Sequence, residues 1–166
     1  MNSAAPVPER PHMPDYGITT EAVGLMNWDW VNQQMTAARS YWICTTRPDG
    51  APHAAPVWGV WLEGALVFSC ARSSRKARNL AADPRVTVHL ESGDEVVILE
   101  GRVEVVADLA RLAAFGQAYA AKYPVVTPNV LLDPNLVCFA LRPQAAFAWL
   151  ERDFPNTATR WRFPAT

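Results

Sequence analysis

At 166 residues, 50% of them hydrophobic and 19% charged, the chain is one ordinary domain, too short for a second and too apolar for intrinsic disorder in its body. Its 15 Lys and Arg nearly balance its 16 Asp and Glu, which argues against bulk nucleic-acid binding and requires that any bound anion be held by a local cluster. No apolar run approaches the ~20 residues of a membrane span, and the first fourteen residues carry four prolines without an apolar signal core, so the expectation is a soluble, cytoplasmic protein.

Residues 1–18 (MNSAAPVPERPHMPDYGI) are proline-rich and aperiodic and are expected to form an arm outside the core, leaving 19–166 as a single domain. A helix is predicted from Thr20, where the threonine offers a cap. Trp28, Val31, Met35 and Ala38 then recur at helical spacing as one apolar stripe, suited to covering an open barrel end. Tyr41 to Thr46 reads as a strand, RPDG (47–50) as a tight turn, and Ala54 to Leu62 as the returning strand. A second turn at Glu63-Gly64 leads into Ala65 to Cys70, so these strands run antiparallel. A short helix over 74–82, with Ala77, Leu80 and Ala81 inward, is stopped by Asp83-Pro84, because proline lacks a donor and disfavours helix in the residue before it.

Two strands follow. In 85–91, Val86, Val88 and Leu90 alternate with polar residues; in 95–106, Val97, Leu99, Gly101, Val103 and Val105 share one face and Val96 and Ile98 begin the other. That second apolar face fits either a partner subunit or packing under a local helix. Asp108 is placed to cap a helix to Lys122 with Leu109, Leu112, Ala113, Gly116 and Ala120 inward. A proline-containing loop precedes two final strands, Leu136 to Arg142 and Ala145 to Glu151, and the tail TATRWRF (157–163). Six or seven meandering strands with three inserted helices predict a mainly β fold, a closed or partly closed antiparallel barrel.

The chemistry concentrates in ARSSRKARNLAADPRV (71–86), where Arg72, Arg75, Lys76 and Arg78 crowd at a helix start. Cations there oppose the helix dipole at roughly 0.3–1 kcal/mol each and repel one another. A bound phosphate relieves both: first-turn N–H groups, the Ser73 and Ser74 hydroxyls and the cationic heads all donate hydrogen bonds. A solvated basic helix is the other reading. On the helical wheel Arg75 and Asn79 point away from the core, with Lys76 and Arg78 on its flanks. Cys44, Cys70 and Cys138 read as reduced core residues, and His12, His53 and His89 are scattered, so no metal site is assigned. Nucleophile elbow, phosphate loop and dinucleotide fingerprint are all lacking, which leaves a phosphorylated organic redox cofactor as the economical source of reactivity. Trp58 and Trp61 lie on opposite faces of the preceding strand; Trp58 belongs either beside the cofactor ring or in a core or interface.

The order DGAPHAAPVWGVW (49–61), EGALVFS (63–69), SSRKARNLAADPRVTVHL (73–90), then ILEGRVEV (98–105), resembles the pyridoxamine 5′-phosphate oxidase-like superfamily over about residues 36–163. These are split β-barrel flavin and deazaflavin oxidoreductases, and the likeness is greatest to the small single-domain members called coenzyme F-420-dependent. By that resemblance Arg75 and Lys76 hold the cofactor phosphate, with Ser74 and Asn79 in the same motif. Pro56, Val57 and Trp58 line the ring, and Ser69 and Cys70 fall at a Tyr-Thr or Phe-Thr pair of the family. Trp149 and Arg160 match a Trp and Arg that complete the site from a partner subunit. The resemblance further implies a homodimer that binds F-420 in preference to FMN and transfers hydride to a small planar substrate. A non-catalytic flavin, deazaflavin or haem carrier or sensor is the alternative. No catalytic side chain is assigned.

Overall fold

In the computed structural model, which describes residues 6–164, the proline-rich arm is part of the sheet; residues 1–5 of that arm lie outside the described residues. Pro8–Glu9 (β1) pairs antiparallel with the last strand, Pro8 opposite Trp161 and Glu9 opposite Arg160. Arg10 then donates to the carbonyls of Glu21, Val23, Asn156 and Ala158 at 2.7–3.0 Å. One planar guanidinium thus satisfies four backbone acceptors that have no ladder to join. The helix predicted from Thr20 starts later for the same reason: the Glu21 and Val23 carbonyls are already engaged. Gly24 (φ +89°) also lies so close to Asn156 that an added Cβ would come within 2.7 Å of its carbonyl oxygen. The helix is Trp28–Ala37 (α1), capped by Asn27, whose side chain accepts from the Asp29 N–H. Its Trp28, Val31 and Met35 stripe is buried in the main core as expected.

Tyr41–Thr46 (β2) and Pro52–Val57 (β3) form the predicted hairpin. The expected single strand to Leu62 is broken at Trp58: β3 pairs with β2, whereas Gly59–Leu62 (β4) pairs with Ala65–Ala71 (β5). The chain changes partners there, and this is the split in the barrel. Glu63 (φ +50°) and Gly64 (φ +73°) make the β4–β5 turn, both central residues left-handed as strand twist prefers. Arg75–Ala82 (α2), Arg85–His89 (β6), Glu95–Val105 (β7) and Leu109–Lys122 (α3) follow close to their predicted places.

The two strands expected at 136–151 are one, Leu136–Leu150 (β8). Pro143 and Gln144, which separate the two expected strands, form a bulge, in which Glu100 faces Ala145 and Gly101 faces Pro143. The extra residue flips the pleat, so that Val137, Phe139 and Leu141 before it and Ala146 and Ala148 after it all face the core. Gly101 is required opposite: an added Cβ would meet the Arg142 carbonyl oxygen at 2.8 Å. A short helix, Phe154–Thr157 (α4), leads into the expected tail, most of which is a strand, Thr159–Arg162 (β9), with Trp161 fully buried. The sheet runs β1-β9-β8-β7-β6-β2-β3, while the first half of β8 also pairs with β5, which carries β4. It is a mainly antiparallel split barrel, open between β3 and β4.

Two apolar clusters result. The larger fills the barrel around Ile43, Phe68, Leu99 and Trp161. The smaller lies under α3, between Leu112, Tyr119 and Tyr123 and the outer side of β4, β5 and β8. The inner side of α3 is Leu112, Gly116 and Tyr119; Leu109 is 71% exposed and Ala113 is exposed, contrary to expectation. Gly116 touches the backbone of Pro128 so closely that no side chain fits. Val105 and Ala81, both expected inward, instead line an open groove of about 400 Å³ between α2 and the ends of β7 and β8. No described helix is long and apolar enough to cross a membrane.

Candidate functional site

The start of α2 is built by Ser74, whose extended backbone ends the β5 turn and whose Oγ accepts from the Ala77 N–H at 3.2 Å. Capping one donor leaves the neighbouring first-turn N–H groups directed outward, the arrangement that favours anions. Of the four cations, two are occupied: Arg72 donates to the Pro134 carbonyl at 2.8 Å and Arg78 folds back on the Ser73 carbonyl. Arg75 and Lys76 pair with no carboxylate among the described residues. At the far end of the helix Arg85 holds the Asp83 carboxyl down at about 2, a local pair separate from the cradle.

Asn79 corrects the wheel. It was expected to point away from the core but is fully buried, its amide donating to the Thr45 hydroxyl of β2 at 2.9 Å. A small amide meeting a buried hydroxyl explains why an otherwise polar side of α2 packs against the sheet. Ser69 is half-buried, whereas Cys70 is buried in the main core, as is Val57. Only the backbone of Val57 can therefore line a pocket. Pro56 is exposed on the outer face of β3.

At the barrel's split, Trp58 is 39% exposed and its ring stacks on Tyr123 (centroids 4.6 Å, planes 4° apart). Trp61, on the other face, is buried and donates to Asn32 at 3.0 Å. Tyr119 and Lys122 of α3 and its C-cap residue Tyr123, to which the sequence analysis assigns no site role, tie this break down. The Tyr119 hydroxyl donates to the Trp58 carbonyl at 2.7 Å and accepts from the Ser69 N–H at 3.2 Å. The Tyr123 hydroxyl accepts from the Gly59 N–H, and Lys122 donates to the Gly59 carbonyl and the Tyr41 hydroxyl at 2.9 and 2.8 Å. Burial pulls the Lys122 ammonium down to about 8 and pushes the Tyr41 and Tyr119 hydroxyls up. The available signal was the spacing of Tyr119 and Tyr123, i and i+4 on one helix face.

The outer face of the barrel carries a row of directly opposed residues, Pro56, Trp42, His89, Ile98, Phe147 and Arg160, one per strand. Trp42 stacks on His89 (planes 3° apart), and Trp149 lies on the same face, edge-on to Phe154. Trp42, Ile98, Phe147 and Trp149 are half-exposed. Arg160 and Arg162 both donate to the Glu9 carboxylate, at 2.8 and 3.0 Å. Within one chain, Trp149 and Arg160 are thus not brought to Arg75 and Lys76: β9 is four strands from β2 along the sheet.

No curated protein matches the chain. Among solved structures it is similar to a conserved hypothetical protein of Mycobacterium tuberculosis at 23% identity and TM-score 0.71, covering 88% of this chain and 94% of that one. It is similar to an F-420 reductase at 26% identity and TM-score 0.57, covering 69% and 94%. A third neighbour, the haem storage protein HutZ of Vibrio cholerae, has 15% identity and TM-score 0.62 over 72% and 92%. The first and third likenesses concern the fold. The family model described as pyridoxamine 5′-phosphate oxidase matches residues 29–150, and with the split barrel and the Ser74-Arg75-Lys76 helix start in place, the chain belongs to the pyridoxamine 5′-phosphate oxidase-like family.

Proposed function

We propose that the chain is a homodimeric oxidoreductase that binds a phosphorylated flavin-type cofactor, coenzyme F-420 in preference to FMN, and transfers hydride to a small planar substrate. The observation that carries this reading is the pair Arg75 and Lys76, uncompensated by any described carboxylate, at a helix start already capped by Ser74. The donor set fits a phosphate monoester or diester: outward N–H groups for its oxygens and two cations for its charge. When bound, the cofactor supplies the two-electron chemistry, and the protein supplies orientation and exclusion of water. Trp58, held by Tyr119 and stacked on Tyr123, offers a rigid plane and a fixed backbone for the ring side. The preference for F-420 is supported by the F-420 reductase among the neighbours, which is more similar in sequence, at 26% identity, than the haem storage protein at 15%.

The half-exposed Trp42, Ile98, Phe147 and Trp149 support the dimer, since this apolar face would present Trp149 and Arg160 to a second copy's α2. A second reading, a carrier of flavin, deazaflavin or haem without turnover, is favoured by the likeness to HutZ. Titrating one preparation with F-420, FMN and haemin, then following oxidation of the reduced cofactor by candidate acceptors, tests both. Turnover supports the enzyme; saturable binding without turnover supports the carrier. Binding of none of the three overturns both.

A further inference from the structure

The hairpin facing α2 holds an unusual group of polar atoms. Buried side-chain atoms without hydrogen-bond partners are few in folded proteins. Here Arg47 Nε, His53 Nδ1 and Asn79 Oδ1 are three such atoms, on the β2–β3 hairpin and on the helix that contacts it. Thr45 lies directly opposite His53 in the β2–β3 ladder, so their side chains share the inner face. Arg47 follows Thr45 by two residues, and its backbone is fixed by an N–H bond to the Ala51 carbonyl at 2.9 Å. The amide of Asn79 reaches the Thr45 hydroxyl from α2.

The Asn79 NH2 donates to the Thr45 hydroxyl at 2.9 Å. Oδ1 is therefore turned away from Thr45 with no partner. On α2, Asn79 stands three and four residues after Lys76 and Arg75, between them on the wheel and one turn along. The stripe of Arg75, Lys76 and Asn79 thus runs toward the hairpin, while Ala77 and Ala81 line the apolar groove on the other flank.

We propose that Arg47 and His53 are ligand-binding residues that, with Asn79, form the floor of the α2 cradle and select a phosphate carried on a hydroxyl-bearing chain. The inference rests on the reading of Arg75 and Lys76 as phosphate contacts and extends it to a second element. The chemistry of the unpartnered atoms names the ligand class. Arg47 Nε is a donor, and His53 Nδ1 is a donor in one tautomer, so both seek an oxyanion. Asn79 Oδ1 is an acceptor, which an oxyanion leaves unsatisfied and an adjacent hydroxyl satisfies. A polyol phosphate offers both groups on neighbouring carbons; a ligand whose only polar ends are carboxylates does not.

The test uses whichever of FMN and F-420 the full chain binds, paired with its dephosphorylated form, riboflavin or the deazariboflavin core. Arg47→Met and His53→Phe are each expected to weaken the phosphorylated form by roughly tenfold, the loss of one charge-assisted contact. Affinity for the dephosphorylated form is expected to stay unchanged, and His53→Gln, which keeps a donor, to retain most of the binding. Unchanged affinity in both Arg47→Met and His53→Phe overturns the proposal. So does a parallel loss for both ligand forms, which a distorted hairpin would give. If Lys76→Ala weakens binding and the hairpin variants do not, the hairpin assignment alone fails. If the wild-type chain binds neither cofactor, the reading of α2 fails and this one with it. Should His53→Phe not fold, Arg47→Met beside the turn decides the matter.

Discussion

Helices α2 and α3 both lie against the barrel near its split, and they handle charge in opposite ways. The one lysine of α3, Lys122, is half-buried, donates two hydrogen bonds and stands over the rings of Tyr41 and Tyr123 at 4.8 and 5.5 Å. On α2, Arg75 and Lys76 engage no carboxylate among the described residues, at the end of a helix dipole that repels them. The amine of Lys122 is bonded within the fold. Charges left without a partner in the fold, beside buried polar atoms with nothing to bond, are what the proposed cofactor site rests on. The difference teaches which helix to alter for stability and which for binding.

The largest effect is expected from the double change Arg75→Ala with Lys76→Ala. Cofactor affinity should fall about a hundredfold or more, at roughly 1.5–3 kcal/mol per charge-assisted contact, while thermal stability holds or rises slightly as like charges leave the helix start. A matched loss of stability in calorimetry would erase the contrast between the helices. Next is Tyr119→Phe, which leaves the Trp58 carbonyl and the Ser69 N–H without their partner. It is expected to destabilise by about 1–3 kcal/mol, read from denaturant midpoints at constant m. Trp58→Leu removes the stack on Tyr123, and a loss of roughly 0.5–1.5 kcal/mol together with weaker ring binding is expected by fluorescence titration.

The smallest effect is a pH dependence. Lys122 titrates near 8 in the folded chain against an ordinary 10.5, because burial disfavours its charged form. The unfolded chain binds that proton more tightly, so stability contributed by this group rises as pH climbs from about 8 toward 10.5. Lys122→Met should flatten that segment of a pH-stability curve. An unchanged curve would mean that Lys122 is as solvated as the cations of α2.

Local signals carried most of the architecture. Alternation placed β2, β6 and β7, and the Asp83-Pro84 stop and the Asp108 cap bounded α2 and α3. The misreadings share a cause, which is that long-range pairing overrode local chemistry. Pro143 with Gln144 separates two strands in the sequence until β7 supplies Gly101 opposite the bulge. Thr20 looks like a cap until Arg10 claims the carbonyls beside it. At the site, the cation cluster was legible because charge is visible in a string of letters. Asn79 was not, since an amide's burial depends on a hydroxyl thirty-four residues away. Tyr119 and Tyr123 were hidden likewise, their partners being backbone groups at a strand break that no periodicity announces.

The long strand β8 has a kinetic consequence. Residues 139–141 are laddered to β5 on one side and β7 on the other, and 145–148 to β7 and β9. Their side chains reach into both apolar clusters, so opening these segments means dismantling the whole molecule. In deuterated solvent the amides of β8 will be the last to lose their protons, at a rate that reports global unfolding. Those of β1, held by two pairings at the rim, will exchange first.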